Sequence, residues 1–199
     1  MQLSNEYGYF AVRIARKVIE KWVKGREKLK PKSYPEFFNK KMGVFTTIHA
    51  WPEKELRGCI GFPYPELRLI DALVSSAIEA CNDPRFLPLR ENELEHVVVE
   101  VSILTEPKLI DVENKMEYLK KIEIGKDGLI IKNGIFSGLL LPQVPVEFGW
   151  NVKQYLENLC EKAMLPRNAW LFTDTQIFKF QAFIFAEKEP NGDIERVKL

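Results

Sequence analysis

The fold of this chain is decided by residues 43–62, GVFTTIHAWPEKELRGCIGF. Residues 43–50 and 56–62 both show the alternation of apolar and polar side chains that is typical of β-strands. The segment between them, 51–55, contains Pro52 and favours a turn. We therefore predict an antiparallel hairpin with a loop at 51–55.

The two faces of this hairpin differ in polarity, because successive side chains of a strand point to opposite sides. One face is expected to be apolar and to meet the core, and it carries Val44, Thr46, Ile48, Ala50, Leu56, Gly58, Ile60 and Phe62. A loop that closes symmetrically sets Thr47 opposite Cys59 and His49 opposite Arg57 on the other face. His49 is then a diagonal neighbour of Cys59, unless the register slips.

Further helices and strands are predicted from periodicity. Apolar residues at helical spacing predict helices over 5–24, with Ser4 as N-cap, and over 66–81 and 151–163. Alternation predicts strands over 95–105, 128–132, 135–141 and 175–186. Strand pairs joined by short turns, such as Asn133-Gly134, indicate an α+β fold with a largely antiparallel sheet and packed helices.

The length of 199 residues fits a single domain over 1–199. The polar stretch 107–127 is the best candidate for a boundary within the chain, and a smaller lobe is possible over about 107–145. Cys81 and Cys160 fall on the apolar stripes of predicted helices and are expected to be core residues.

Composition and charge argue against several classes of protein. The 29 basic and 28 acidic residues give a net charge of +1, which disfavours nucleic-acid binding. The basic run Lys24–Lys32 is interpreted as a solvated helix end, with an anion-binding patch as the alternative. No apolar run is long enough to cross a membrane, and an odd number of scattered cysteines fits the cytoplasm. No metal or cofactor site is predicted.

Cys59 is the candidate for chemistry. A nearby cation lowers the pKa of a cysteine, so Arg57 could favour the thiolate, and His49 could accept the proton. Gly58 and Gly61 would let a ligand or another backbone approach. The alternative is that Cys59 is a small packing residue beside a tight helix–sheet contact.

Binding candidates come from three other segments. In NDPRFLP, residues 82–88, Asn82 and Asp83 are expected to form an Asx turn, and Arg85 projects from a stiff loop anchored by Phe86 and Leu87. The segment either only terminates the preceding helix or holds this arginine for an anionic ligand or a structural ion pair. Glu100 is a candidate partner for Arg57 or Arg85. Gln143, in the proline-rich stretch 140–150, could line a cleft or simply cap the following helix.

The ordered set LRGCIG, NDPRF, EVSIL, LLPQV and CEKAML resembles the AMMECR family, over nearly the whole chain. This resemblance implies a cytosolic, two-lobed α+β domain with LRGCIG near a cleft between the lobes. It also implies a family without an established biochemical activity, whose microbial members are encoded with or fused to Memo-like proteins and radical S-adenosylmethionine enzymes.

Three functions follow as hypotheses. The first is a binding or accessory module that holds a small molecule or a partner protein, including Memo-like or radical S-adenosylmethionine proteins. The second is a cysteine-dependent enzyme for acyl or related group transfer that uses Cys59. The third and weakest is a nucleic-acid-binding regulator.

Overall fold

The computed structural model describes residues 3–197 and has the predicted α+β architecture, with helices packed on antiparallel sheets. The chain divides into two compact units. Of the described residues, one unit comprises 3–104 together with 183–197, and the other comprises 105–182. The second unit thus begins two residues before the polar stretch at 107, and it continues well beyond 145.

The first unit contains a five-stranded sheet in the order β2-β1-β3-β8-β9. Its strands are β1 (Val44–Ala50), β2 (Leu56–Phe62), β3 (Val97–Leu104), β8 (Ala182–Glu187) and β9 (Ile194–Val197). Its helices are α1 (Asn5–Gly25) and α2 (Leu69–Ala80), with 3-10 turns at Glu36–Asn39 and Glu91–His96. β2, which carries the LRGCIG motif, is an edge strand.

α1 begins and ends where its sequence predicts. The Ser4 hydroxyl accepts a hydrogen bond from the Glu6 N–H, and Arg26 takes a left-handed conformation (φ 53°) that returns its N–H to the carbonyl of Trp22. The helix packs with α2 on the apolar face of the sheet. Arg16 of α1 also forms a buried ion pair with Glu187 of β8, whose carboxylate accepts the Val99 N–H as well.

The predicted hairpin is present, but its register differs near the loop. Thr47 lies opposite Cys59 as predicted, whereas His49 lies opposite Leu56. The prediction that His49 faces Arg57 is therefore wrong. The Ala50 N–H bonds to the Glu55 carbonyl, so the loop closes one residue early and Arg57 becomes the extra residue of a β-bulge.

Most of the predicted apolar face of the hairpin meets the core. Val44, Thr46 and Ile48 are fully buried, and Gly58 is buried with them. Leu56 instead keeps 41% of its surface exposed, contrary to the prediction, because it precedes the bulge at the open end of the strand.

The second unit contains a four-stranded sheet in the order β4-β7-β5-β6. Its strands are β4 (Lys108–Leu109), β5 (Gly128–Asn133), β6 (Phe136–Leu140) and β7 (Gln176–Phe180). Its helices are α3 (Tyr118–Lys121), α4 (Val144–Glu147) and α5 (Val152–Lys162), with 3-10 turns at Lys115–Glu117 and Ala169–Leu171. α5 buries Tyr155, whose hydroxyl donates to the Leu140 carbonyl at 3.0 Å.

One predicted strand is in fact two. The strand predicted over 175–186 is interrupted at Gln181, so that β7 belongs to one sheet and β8 to the other. The backbone of Gln181 bonds instead to Thr105. The Gln181 N–H donates to the Thr105 hydroxyl, and the Gln181 carbonyl accepts the Thr105 N–H.

The prediction that Cys81 and Cys160 are core residues is confirmed, since both are buried. Within residues 3–197, no helix has the length and apolar character needed to span a bilayer.

Candidate functional site

The NDPRF segment lies along the open edge of β2, beside the LRGCIG motif. One carboxylate oxygen of Asp83 accepts the Cys59 N–H at 2.9 Å, and the Arg85 Nη2 donates to the Cys59 carbonyl at 3.3 Å. Asp83 and Arg85 therefore occupy the backbone groups that a further strand would use. An edge strand covered in this way is protected against pairing with another chain.

Asp83 is the buried centre of this arrangement. Its carboxylate accepts the Arg85 backbone N–H at 3.0 Å, the predicted Asx turn, and binds the Arg85 guanidinium through Nε at 3.0 Å and Nη2 at 2.6 Å. These hydrogen bonds, together with that from the Cys59 N–H, outweigh burial and hold the pKa of Asp83 at about 2. Asp83 is 2% exposed, whereas 56% of the Arg85 side chain remains open to solvent.

Arg57 is paired with a residue that the sequence did not single out. Its Nε and Nη2 donate to the two carboxylate oxygens of Glu93 at 2.7 and 3.1 Å, and Nη2 also reaches the Leu87 carbonyl at 2.9 Å. Burial of Glu93 opposes its ionisation, but the hydrogen bonds from Arg57 and the Arg90 N–H, together with the charges of both arginines, outweigh burial and lower the pKa of Glu93. The sequence does offer one signal that Glu93 has a structural role. It lies three residues after Arg90, the residue that precedes the 3-10 turn, and a glutamate at this position often caps such a turn.

Both motif arginines lie against one aromatic ring. The guanidinium carbons of Arg57 and Arg85 are 5.8 and 5.7 Å from the centre of the Phe86 ring, within the range of cation–π attraction. Leu87, which was expected to anchor Arg85, is instead 71% exposed. We call Leu56, Cys59, Arg85, Phe86 and Leu87 the motif surface.

The glycines of LRGCIG are explained by contacts within the chain. A Cβ at Gly58 would collide with the carbonyl oxygen of Ala80 at the end of α2, and one at Gly61 would collide with the ring of Phe45. The close approach that these glycines permit is thus made by the chain's own helix and strand.

The thiol of Cys59 is partly exposed and points to the side of the sheet that carries Thr47 and Glu100, which lie in one row across β2, β1 and β3. The Thr47 hydroxyl donates to the sulfur at 3.4 Å. Burial raises the pKa of the Cys59 thiol, and the neighbouring negative charges act in the same direction, against the smaller effects of Thr47 and Arg85. This environment favours the protonated thiol.

His49 is held by its own loop. Its Nδ1 lies 3.2 Å from the Lys54 carbonyl oxygen. Burial lowers the pKa of His49, so the neutral imidazole is favoured at neutral pH. Its role as a base for Cys59 remains a prediction.

Gln143 belongs to the second unit, immediately before α4. Its Oε1 is buried and has no hydrogen-bond partner among the described residues. Further along the same segment, Trp150 stacks on the exposed ring of Phe148 at a centroid distance of 5.0 Å. Glu147 lies between Gln143 and Phe148 in the sequence, and burial raises its pKa.

Fold and site together define an α+β protein whose most distinctive strand lies at a sheet edge and is covered by an aspartate–arginine pair. Within residues 3–197, no group of three or more His, Cys, Asp or Glu side chains is placed to hold a metal ion.

The chain belongs to the AMMECR1 family, whose model matches residues 12–185. Among its relatives, Protein MJ0810 of Methanocaldococcus jannaschii is 54% identical over 198 residues, covering 99% of this chain and 98% of that protein. Protein PH0010 of Pyrococcus horikoshii is 47% identical over 203 residues, with 100% and 98% coverage. The crystal structure of that uncharacterised protein superposes with a TM-score of 0.94 at 46% identity, covering all of both chains.

Proposed function

We propose that this protein is a cytoplasmic binding or accessory module that recognises a separate partner protein through the motif surface. The partner classes suggested by the family resemblance are Memo-like proteins and radical S-adenosylmethionine enzymes. The proposal assigns no reaction to the chain itself.

The observation that carries the proposal is that the Arg85 side chain is both exposed and held in place. Its side chain is 56% exposed, yet its guanidinium is fixed by Asp83 and by the Cys59 carbonyl. A long side chain that is already ordered loses little conformational entropy when a partner binds. Arginine is enriched among the residues that dominate binding at interfaces.

The rest of the motif surface supports recognition of a segment that is both acidic and apolar. Leu87 and Leu56 are 71% and 41% exposed, and Phe86 lies under the Arg85 guanidinium. Among the described residues, no hydrogen bond involves the Nη1 of Arg85. A carboxylate of the partner can therefore bind Nη1 while apolar side chains cover Leu87.

The environment of Cys59 favours binding over the cysteine-enzyme hypothesis. A nucleophilic cysteine needs a substantial thiolate fraction, and burial here raises the pKa of the thiol. The charge of +1 likewise gives little support to a nucleic-acid-binding regulator.

The test is direct binding of the purified full chain to the Memo-like protein and the radical S-adenosylmethionine enzyme encoded in the same genome, measured by biolayer interferometry. We expect Arg85→Ala to weaken binding about tenfold or more, as for loss of one charge-assisted contact at an interface centre. Arg167→Ala is the matched control, because that side chain is also 56% exposed and paired with a glutamate, but lies in the second unit.

Equal affinities of the wild type and Arg85→Ala would refute the motif surface as the binding site. Absence of binding to both candidate partners would refute the partner classes. A loss shared by Arg85→Ala and Arg167→Ala would show a general effect of charge and would also count against the proposal.

A further inference from the structure

The basic run after α1 does not extend into solvent as an isolated tail. It crosses the first turns of α2, and the two segments enclose a cavity of about 380 Å³ within the first unit. The cavity is lined by residues of 28–34 on one side and of 68–75 on the other. Its volume lies at the lower end of the range typical of small-molecule sites.

The floor of this cavity is apolar. Ile70 and Val74 of α2 form it together with Leu29 and Pro31 of the basic run. Ile70 and Val74 are almost completely buried, so the accessible apolar surface of the cavity belongs mainly to the half-buried Leu29 and Pro31. A ligand seated on this floor needs an aromatic or branched aliphatic body to cover the apolar side chains.

The rim of the cavity is basic. Lys28, Lys30 and Arg68 line it, with Asp71 as the acidic member. Asp71 is bound to the Arg68 Nε at 2.7 Å, and no ion pair within residues 3–197 involves Lys28 or Lys30. Three basic groups and one acid give the rim a local excess of positive charge, in a chain whose net charge is only +1.

The backbone fixes the position of Arg68 at the mouth. Arg68 forms an isolated β-bridge with Lys41, and the N–H of the following Leu69 bonds to the Lys40 carbonyl at 2.8 Å. On the opposite wall, the hydroxyl of Tyr34 donates to the Asn39 side chain at 3.3 Å, which leaves its oxygen able to accept. The mouth is thus built from two tethered segments.

We propose that this cavity binds a small amphiphilic anion, an aromatic or branched aliphatic molecule that carries a phosphate or carboxylate group. The apolar body packs against Leu29 and Pro31, above the buried Ile70 and Val74, and the anionic group binds Lys28, Lys30 and Arg68. The site lies on a different set of residues from the motif surface, so it does not depend on the function proposed above.

The experiment titrates the full-length protein with 1-naphthyl phosphate, inorganic phosphate and 1-naphthol, and follows binding by calorimetry and by amide chemical shifts. We expect 1-naphthyl phosphate to bind more tightly than either fragment, with shifts in residues 28–34 and 68–75. Raising the salt concentration should weaken it, because exposed charges are screened.

Two variants test the two halves of the site. Lys28→Ala/Lys30→Ala removes two charges from the rim and should weaken 1-naphthyl phosphate about tenfold or more. Ser75→Phe fills the cavity from a half-buried position on α2 and should abolish binding while the rim charges remain. Lys32→Ala is the control, because Lys32 lies in the same run but does not line the cavity. Unchanged unfolding midpoints show that the variants fold.

Each contrary result overturns the proposal. Inorganic phosphate binding as tightly as 1-naphthyl phosphate would leave the apolar floor without a role. Unchanged binding by Ser75→Phe, or equal losses in the lysine variant and Lys32→Ala, would place the ligand elsewhere. Sedimentation with phosphatidylserine vesicles, without binding of the free naphthyl phosphate, would identify a membrane surface instead.

Discussion

Replacing Asp83 by asparagine tests whether one buried carboxylate holds the edge of β2. The substitution keeps the size of the side chain but removes the charge that binds Arg85, and the new amide group must face an N–H donor. The pKa of Asp83 lies at about 2 against a usual 3.8, and a difference of one in pKa corresponds to about 1.4 kcal/mol. The charge of Asp83 therefore contributes about 2 kcal/mol to the free energy of unfolding.

The pH dependence follows from the sign of this pKa difference. Because the folded pKa is lower than the unfolded one, the contribution is complete above about pH 5 and decreases as the pH falls through about 4 towards 2. About half of it should be lost at pH 3. Urea unfolding at pH 7 should thus show Asp83→Asn to be about 2 kcal/mol less stable, and this gap should narrow on acidification.

Asp71→Asn provides the matched control. Asp71 also binds an arginine close by in sequence, at 2.7 Å, but both side chains of that pair are about half exposed. Surface pairs of this kind contribute less than about 1 kcal/mol. Equal effects of Asp83→Asn and Asp71→Asn, or a gap for Asp83→Asn that is the same at pH 7 and pH 3, would refute the role assigned to the buried carboxylate.

Three further substitutions or measurements probe the same unit. Gly58→Ala should lower the free energy of unfolding in urea by about 1–3 kcal/mol, because the added methyl group meets the Ala80 carbonyl. Gly25→Ala, where the methyl group enters open space, should leave stability unchanged or raise it by up to about 1 kcal/mol. Similar values for the two variants would contradict the packing role of Gly58. The alkylation rate of Cys59 should keep rising with pH beyond about 8.5, since burial raises the pKa of its thiol, and a plateau already reached at pH 7 would revive the nucleophile hypothesis. Glu187→Gln should destabilise the fold by about 3–5 kcal/mol in chemical denaturation, because it leaves the buried arginine of α1 without its counter-charge, and a loss below 1 kcal/mol would show that water compensates it.

Local periodicity predicted the regular elements well. α1, α2 and α5 lie within three residues of their predicted bounds, because an apolar stripe at helical spacing and a capping residue are both written in the local sequence. The hairpin of β5 and β6 was found from Asn133-Gly134 for the same reason. Elements whose signal is local were therefore accessible without coordinates.

The failures have non-local causes. The alternation of apolar residues continues through Gln181, although the chain leaves one sheet there and enters the other, and periodicity does not report which sheet a strand joins. The bulge at Arg57 leaves the alternation of its neighbours intact and depends on how the loop closes.

Side-chain partners across the site were equally inaccessible. Glu93 binds Arg57 from 36 positions away, and the carboxylate of Asp83 reaches the backbone of Cys59 from 24 positions away. The sequence identified both arginines and the two motifs but could not pair them, because these contacts exist only after the second helix has packed against the hairpin.

The most direct test of the central claim is a hydrogen-exchange footprint of the full chain with and without a bound Memo-like or radical S-adenosylmethionine protein. A binding module that uses the motif surface should gain protection in residues 56–62 and 83–87. Protection confined to other segments, with these two unchanged, would contradict it.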